Sequence, residues 1–263
     1  MREHQVVLSD GAHTTVQQWG ERGPLIVGVH GLGSSRRGWA RIGERLADRY
    51  RVVAYDQRGH GDSGVKGPMT LERSIADLAE IVASLGEAVH ALFGHSWGGA
   101  VVVAGGRRLD VARVVAFDPM LRVHPGVWSA QTVPEYRRQL AQTNDEREAS
   151  IRRSHAVLPD VEIESKLHAA RRLTLEPVEA LGSENGIDAG RWDLRELVAG
   201  YPKPLLLALA DAKRSVVLDD ERAEFAARGD EHVRVEVFAG ASHSLQRDAF
   251  ERVMPVVETF LAE

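Results

Sequence analysis

Gly94-His95-Ser96-Trp97-Gly98 sets a serine hydroxyl between two glycines, each two positions away. An apolar, β-prone run over 88–93 leads into it, and Gly99 with the small-residue run 100–104 follows, so the local pattern is strand, sharp turn, helix. In so tight a turn, side chains two before and two after the serine collide, which explains glycine at both places. The turn pushes Ser96 into the open. Its hydroxyl then sits at a helix N-terminus, where the helix dipole and free backbone N–H groups favour developing negative charge. Glycine and serine are common, and the same five residues can form an ordinary loop. The flanking strand and helix make Ser96 a candidate nucleophile instead.

The elements that must hold this residue follow from the rest of the chain. With 263 residues, 43% of them hydrophobic, it can bury a sizeable core as one large domain or two small ones. Thirty-three basic and 38 acidic residues give a net charge of −5 with no sustained basic block. Nucleic acid and an anionic membrane surface are therefore not expected partners, and a small-molecule substrate fits better. Absence of cysteine excludes disulfides, a thiolate nucleophile and thiolate-bound metal. Met1-Arg2-Glu3-His4-Gln5 has no apolar signal region, and the longest apolar runs, 205–210 and 100–104, are too short to span a bilayer. A soluble cytoplasmic protein is the expectation.

Short β-prone runs at 4–8 and 13–19 flank a turn at 9–12 and suit an antiparallel hairpin. Residues 25–29, 51–55, 88–93, 111–117, 205–210 and 233–238 read as further strands, several apolar throughout as in a sheet buried on both faces. Helices are expected over about 39–49, 71–85 with Gly86 as the stop, 97–109, 219–227 and 248–262. Between 120 and 200 the alternation ceases. That segment is polar and helical, with charged helix formers over 135–153, a helix over 162–173 and a loose stretch over 182–190. The expectation is a mainly parallel, eight-stranded α/β sheet with helices on both faces, its core formed by 1–119 and 201–263 and interrupted by a helical insertion at 120–200. Ligands of such sheets bind beyond the carboxyl ends of the strands.

Four motifs in order now carry a resemblance: His30-Gly31-Leu32-Gly33, the run from Asp56 to Ser63, Gly94-His95-Ser96-Trp97-Gly98-Gly99, and Gly240-Ala241-Ser242-His243. The chain resembles an α/β-hydrolase-fold enzyme, over nearly its whole length outside the insertion. The resemblance implies Ser96 as nucleophile, His243 as base, and the insertion as a cap over the pocket. A serine hydroxyl is a poor nucleophile at neutral pH and needs a base of histidine's pKa. Of the other histidines near strand ends or turns, His30 and His60 are expected to organise loops, and His95 to point away. Backbone N–H groups of Leu32 and Trp97 are the expected oxyanion hole. The run from Asp56 to Ser63 reads as a structural turn held by Asp and Arg hydrogen bonds.

The triad acid is where the chain departs from the commonest family pattern. That pattern puts a glycine and, three residues on, the acid after the strand at 205–209, but these slots hold Ala210 and Lys213. Asp211 in the same loop and Asp118, at the end of the strand after the nucleophile helix, are the alternatives. Asp118 is favoured because it ends its strand directly, with Pro119 fixing the backbone. Trp39, Met120, Leu121, Trp128 and Trp192 are candidate pocket walls, with the null that apolar residues of a cap merely pack. Truncating Trp128 is expected to alter acyl preference more than stability. The resemblance implies a serine hydrolase acting without cofactor or metal on a small carboxylic ester or lactone. Alternatives on the same residues are a perhydrolase or cofactor-free haloperoxidase, a carbon–carbon bond hydrolase or acyltransferase, and a ligand-binding receptor with slow turnover.

Overall fold

The structure, a computed structural model, describes residues 2–64 and 67–263. Eight strands form one sheet: β1 (Arg2–Val7), β2 (His13–Trp19), β3 (Leu25–Val29), β4 (Arg51–Tyr55), β5 (Val89–His95), β6 (Val111–Phe117), β7 (Leu205–Leu209) and β8 (Val233–Val237), in the order β1-β2-β4-β3-β5-β6-β7-β8. The hairpin β1–β2 and the pair β2–β4 are antiparallel, and every other pairing is parallel. This is the expected mainly parallel α/β sheet.

Two-sided burial explains why the central strands are apolar throughout. Leu205, Leu207 and Leu209 face one core with Val27, Val29 and Leu92, while Leu206 and Ala208 face the other with Ile26, Phe93 and Phe117. Helices α2 (Leu71–Leu85), α3 (Trp97–Gly106) and α8 (Asp219–Arg228) cover the first face. Helices α1 (Ala40–Leu46), α9 (Leu245–Asp248) and α10 (Phe250–Ala262) cover the second. Each helix follows from local chemistry as well as packing. Thr70 caps α2 by accepting the Arg73 N–H at 3.1 Å, and Gly86, at φ 66°, ends it.

The segment 120–200 carries α4 (Val133–Leu140), α5 (Asn144–Ser154), α6 (Asp160–Ala170) and α7 (Glu176–Glu184). The charged helix expected over 135–153 is two helices, because Thr143 begins a new one: its hydroxyl accepts the Glu146 N–H while the Glu146 carboxylate accepts the Thr143 N–H. Helix α7 runs into the stretch expected to be loose. Its Gly182 is there for packing, since a Cβ would meet the Trp128 indole at 2.2 Å.

The run from Asp56 to Ser63 is a turn around buried ion pairs. Asp56 binds the Arg36 guanidinium and accepts the backbone N–H of Arg36 at 2.7 Å and of Asp62 at 2.8 Å. Arg58 pairs with Asp77 at 2.5 Å and Asp10 at 2.7 Å. Ligand atoms of Asp56, Asp62 and His168 lie within 4.8 Å of one another, but Arg36 and Arg172 already neutralise these carboxylates. His30 and His60 meet edge to face at 5.3 Å, and His30 Nε2 accepts the Gln57 N–H at 3.0 Å, so both organise loops here. No described helix is long and apolar enough to cross a membrane.

Candidate active site

Ser96 stands between β5 and α3 with φ 55° and ψ −118°. The close approach of backbone demands the flanking glycines. A Cβ on Gly94 would meet the Gly98 carbonyl at 2.2 Å, and one on Gly98 would meet the Val29 carbonyl at 2.1 Å. The turn is clamped to the end of β6, with the Ser96 N–H donating to Phe117 O at 3.1 Å and the Met120 N–H to Ser96 O at 3.0 Å. Among the described residues, Ser96 and Asp118 are the two non-glycine positions with positive φ. Each such conformation costs roughly 1–3 kcal/mol and persists only where its surroundings over-determine it. Both belong to the expected triad.

Asp118, at φ 43°, is fully buried. Its Oδ2 accepts from His243 Nδ1 at 2.7 Å and from the Val216 N–H at 3.0 Å. Its Oδ1 accepts from the Ala210 N–H at 3.0 Å and the Ser215 hydroxyl at 2.5 Å. Four donors on one buried carboxylate fix its direction. With Nδ1 donating to Asp118, Nε2 is the histidine nitrogen left to act as a base. Asp211 makes a different set of contacts. Its oxygens accept backbone N–H groups, Lys213 at 3.1 Å and Gly240 at 2.7 Å, so it shapes the loop that carries His243.

His95 does not point away from the site as expected. Its ring lies 4.6 Å from that of His243, and its Nε2 bonds the His243 carbonyl at 2.9 Å. Burial, then the neighbouring His243, hold His95 well below the usual histidine range, so it is a neutral prop under the His243 loop. Leu32 follows Gly31, whose Cβ position lies only 2.9 Å from Ser96 Cβ. That approach brings the Leu32 loop alongside the serine. The Trp97 N–H, at the first position of α3, has no acceptor within its own helix.

Ser96, His95 and His243 open onto a cavity of about 540 Å³ between the sheet end and helices α4–α6. Met120 and Trp128 line it, together with Leu32, Tyr136 and Val216. Three expected walls do not. Trp39 is 2% exposed beneath the other sheet face, against Phe93 and Phe117, because it precedes α1 rather than the insertion. Leu121 is fully buried in the core, and Trp192 stacks on Trp97 at 5.1 Å with its N–H on the Met120 carbonyl at 2.9 Å. Trp128 lines the cavity but is mostly packed, its N–H donating to Val178 O at 2.9 Å.

Sequence reasoning missed Ser215 and Val216, which hold Asp118, and the basic groups of the cavity wall. The doubled Ser215-Val216-Val217 after Lys213 offered only a weak signal, since a hydroxyl and an N–H identify a partner only once the loop is folded.

Comparison with known proteins places the chain in a family. Lipase LipV of Mycobacterium tuberculosis is 32% identical over 129 residues, 46% of this chain and 49% of that protein. Thus the chain spans about half the length of this curated relative, and less of others such as epoxide hydrolase 4 of Mus musculus, 24% of which is covered. The crystal structure of E-2-(acetamidomethylene)succinate hydrolase superposes with a TM-score of 0.81 at 20% identity, covering 100% of this chain and 99% of that one. The enol-lactonase of Burkholderia xenovorans superposes with 0.77 at 22% identity, covering 99% and 100%. At such identities these two likenesses show the fold alone. The sequence pattern described as Alpha/beta hydrolase family matches residues 26–256, nearly the whole chain, and the protein belongs to that family.

Proposed function

We propose that the protein is a serine hydrolase cleaving a small carboxylic ester or lactone through an acyl-enzyme, with Ser96 as nucleophile, His243 as base and Asp118 as the acid that orients it. The observation that carries this reading is the 2.7 Å bond from His243 Nδ1 to a buried Asp118, at the cavity onto which Ser96 opens. The names of similar proteins, a lipase and an enol-lactonase, support the substrate class.

In the first half-reaction Ser96 Oγ attacks the carbonyl carbon while His243 Nε2 takes its proton. The oxygen anion that forms is held by the N–H groups of Leu32 and Trp97, and the Asp118 carboxylate stabilises the imidazolium. Collapse breaks the bond to the alkoxy oxygen, which leaves with the proton from His243. Water then attacks the Ser96 ester, giving its proton to His243. A second collapse releases the acid and returns the proton to Ser96 Oγ. Residues 120–200 serve as the cap that sets acyl selectivity, with Met120 and Trp128 as walls, and supply no catalytic group. The test is turnover of short-chain p-nitrophenyl esters: Ser96→Ala is expected to lower kcat by about 10⁴-fold or more, and a variant retaining most activity contradicts the reading.

A further inference from the structure

The protein carries net negative charge, yet the cavity wall is basic. Arg138, Arg147, Lys166 and Arg247 line it, against the single carboxylate of Glu135. Two of these cations have carboxylate partners. Arg138 donates from Nε and Nη2 to the Glu135 carboxylate at 2.7–3.0 Å, and Arg247 faces the buried Glu162 at 3.3 Å. Arg147 is spent on backbone carbonyls of Leu140, Gln142 and Ala170, which orient it without neutralising it. Lys166, half-buried on α6, has no hydrogen-bond or ion-pair partner among the described residues.

The unpaired ammonium is close to the chemistry. Its neighbour Arg247 donates to the Ser34 hydroxyl at 3.2 Å, two residues beyond Leu32, and both Lys166 and Arg247 line the same cavity as Ser96 and His243. Burial, then the charge of Arg247, pull Lys166 down to about 7, against the opposing pull of the Glu162 and Asp248 carboxylates, neither of which is in hydrogen-bond contact with it. A desolvated lysine with no anion in contact gives up its proton readily, and a ligand that brings a negative charge holds it as the ammonium.

We propose that Lys166, backed by Arg247, is an anion subsite, and that the substrate's acyl chain carries a second, ionised carboxylate which binds there. This deepens the proposed ester hydrolysis and rests on that reading for its catalytic consequence. The preferred substrate is thus a monoester or lactone of a short dicarboxylic acid. Carboxylate and ammonium form a charge-assisted hydrogen bond that holds the far end of the acyl chain while Ser96 attacks the near end.

The experiment compares mono-p-nitrophenyl glutarate with p-nitrophenyl hexanoate, which is matched in length and neutral, after subtraction of spontaneous hydrolysis. The ratio of kcat/KM, charged over neutral, is expected to be about tenfold or more in the natural protein, to collapse toward one in Lys166→Met, and to be largely kept in Lys166→Arg. In parallel, glutarate is titrated calorimetrically into the Ser96→Ala protein, where binding is expected and its loss in the Ser96→Ala, Lys166→Met double variant. A natural protein that prefers the neutral ester and a Ser96→Ala protein that binds no glutarate at millimolar concentration overturn the subsite, whether or not Lys166→Met folds. If neither ester is turned over, ester hydrolysis fails as a function, and glutarate binding alone still decides for or against the subsite.

Discussion

At the scale of single residues, the proposed chemistry turns on which carboxylate serves His243. Both candidates end strands on the same sheet edge, so chain spacing leaves them equal. Folding separates them: Asp118 receives His243 Nδ1, whereas Asp211 binds the N–H groups of Lys213 and Gly240. Asp118→Asn is expected to lower kcat by about 10³–10⁴-fold with little change in KM, because the amide removes the charge that stabilises the imidazolium. Asp211→Asn is expected to cost less than about tenfold. Steady-state kinetics on both variants checks the ranking, and the reverse order moves the acid to Asp211. Ser96 was legible in the sequence because its glycines answer a purely local steric demand. His95 was misread, because its contact with the His243 carbonyl joins residues 148 positions apart and leaves no trace in local pattern.

At the scale of elements, the strands were readable because two-sided burial leaves continuous apolar runs, and α2 because its cap, apolar stripe and stop glycine agree. Helix α7 was not, since Gly182 lowers helix propensity and its compensation, the Trp128 indole, arrives from another part of the chain. Helix α8 carries a testable tension of its own. Glu221 is fully buried at its first turn, with one oxygen accepting the Leu218 N–H at 2.7 Å, and burial pushes its carboxyl from 4.5 up to about 7. Between these values the folded chain holds a proton that the unfolded chain has lost, so this group's contribution to stability falls as pH rises from about 4.5 through 7. Glu221→Gln is expected to escape that loss, gaining on the order of 1–3 kcal/mol over the natural protein at pH 8 relative to pH 5. Urea midpoints at the two pH values check it, and parallel pH profiles contradict it.

At the scale of the molecule, the sheet supplies a rigid edge and residues 120–200 supply the far wall of the cavity. Trp128 belongs to both roles: it lines the cavity, yet it is 4% exposed and locked by Val178 and Gly182. Trp128→Ala is therefore expected to lose about 3–5 kcal/mol of stability, more than the shift it causes among acyl lengths, reversing the order inferred from sequence. Denaturant unfolding beside a series of p-nitrophenyl esters checks that order. The basic wall of the cavity was illegible in the sequence, where Lys166 is one more charge in a polar helix and only the folded cavity shows it without an ion-pair partner among the described residues. The central claim remains that this cavity is built around an activated serine. Its most direct test is the reaction of the native protein with a fluorophosphonate, followed by intact-mass and peptide mass spectrometry. One adduct per chain is expected, located on Ser96 and formed far more slowly in Asp118→Asn; no adduct, or one on another residue, would contradict that claim.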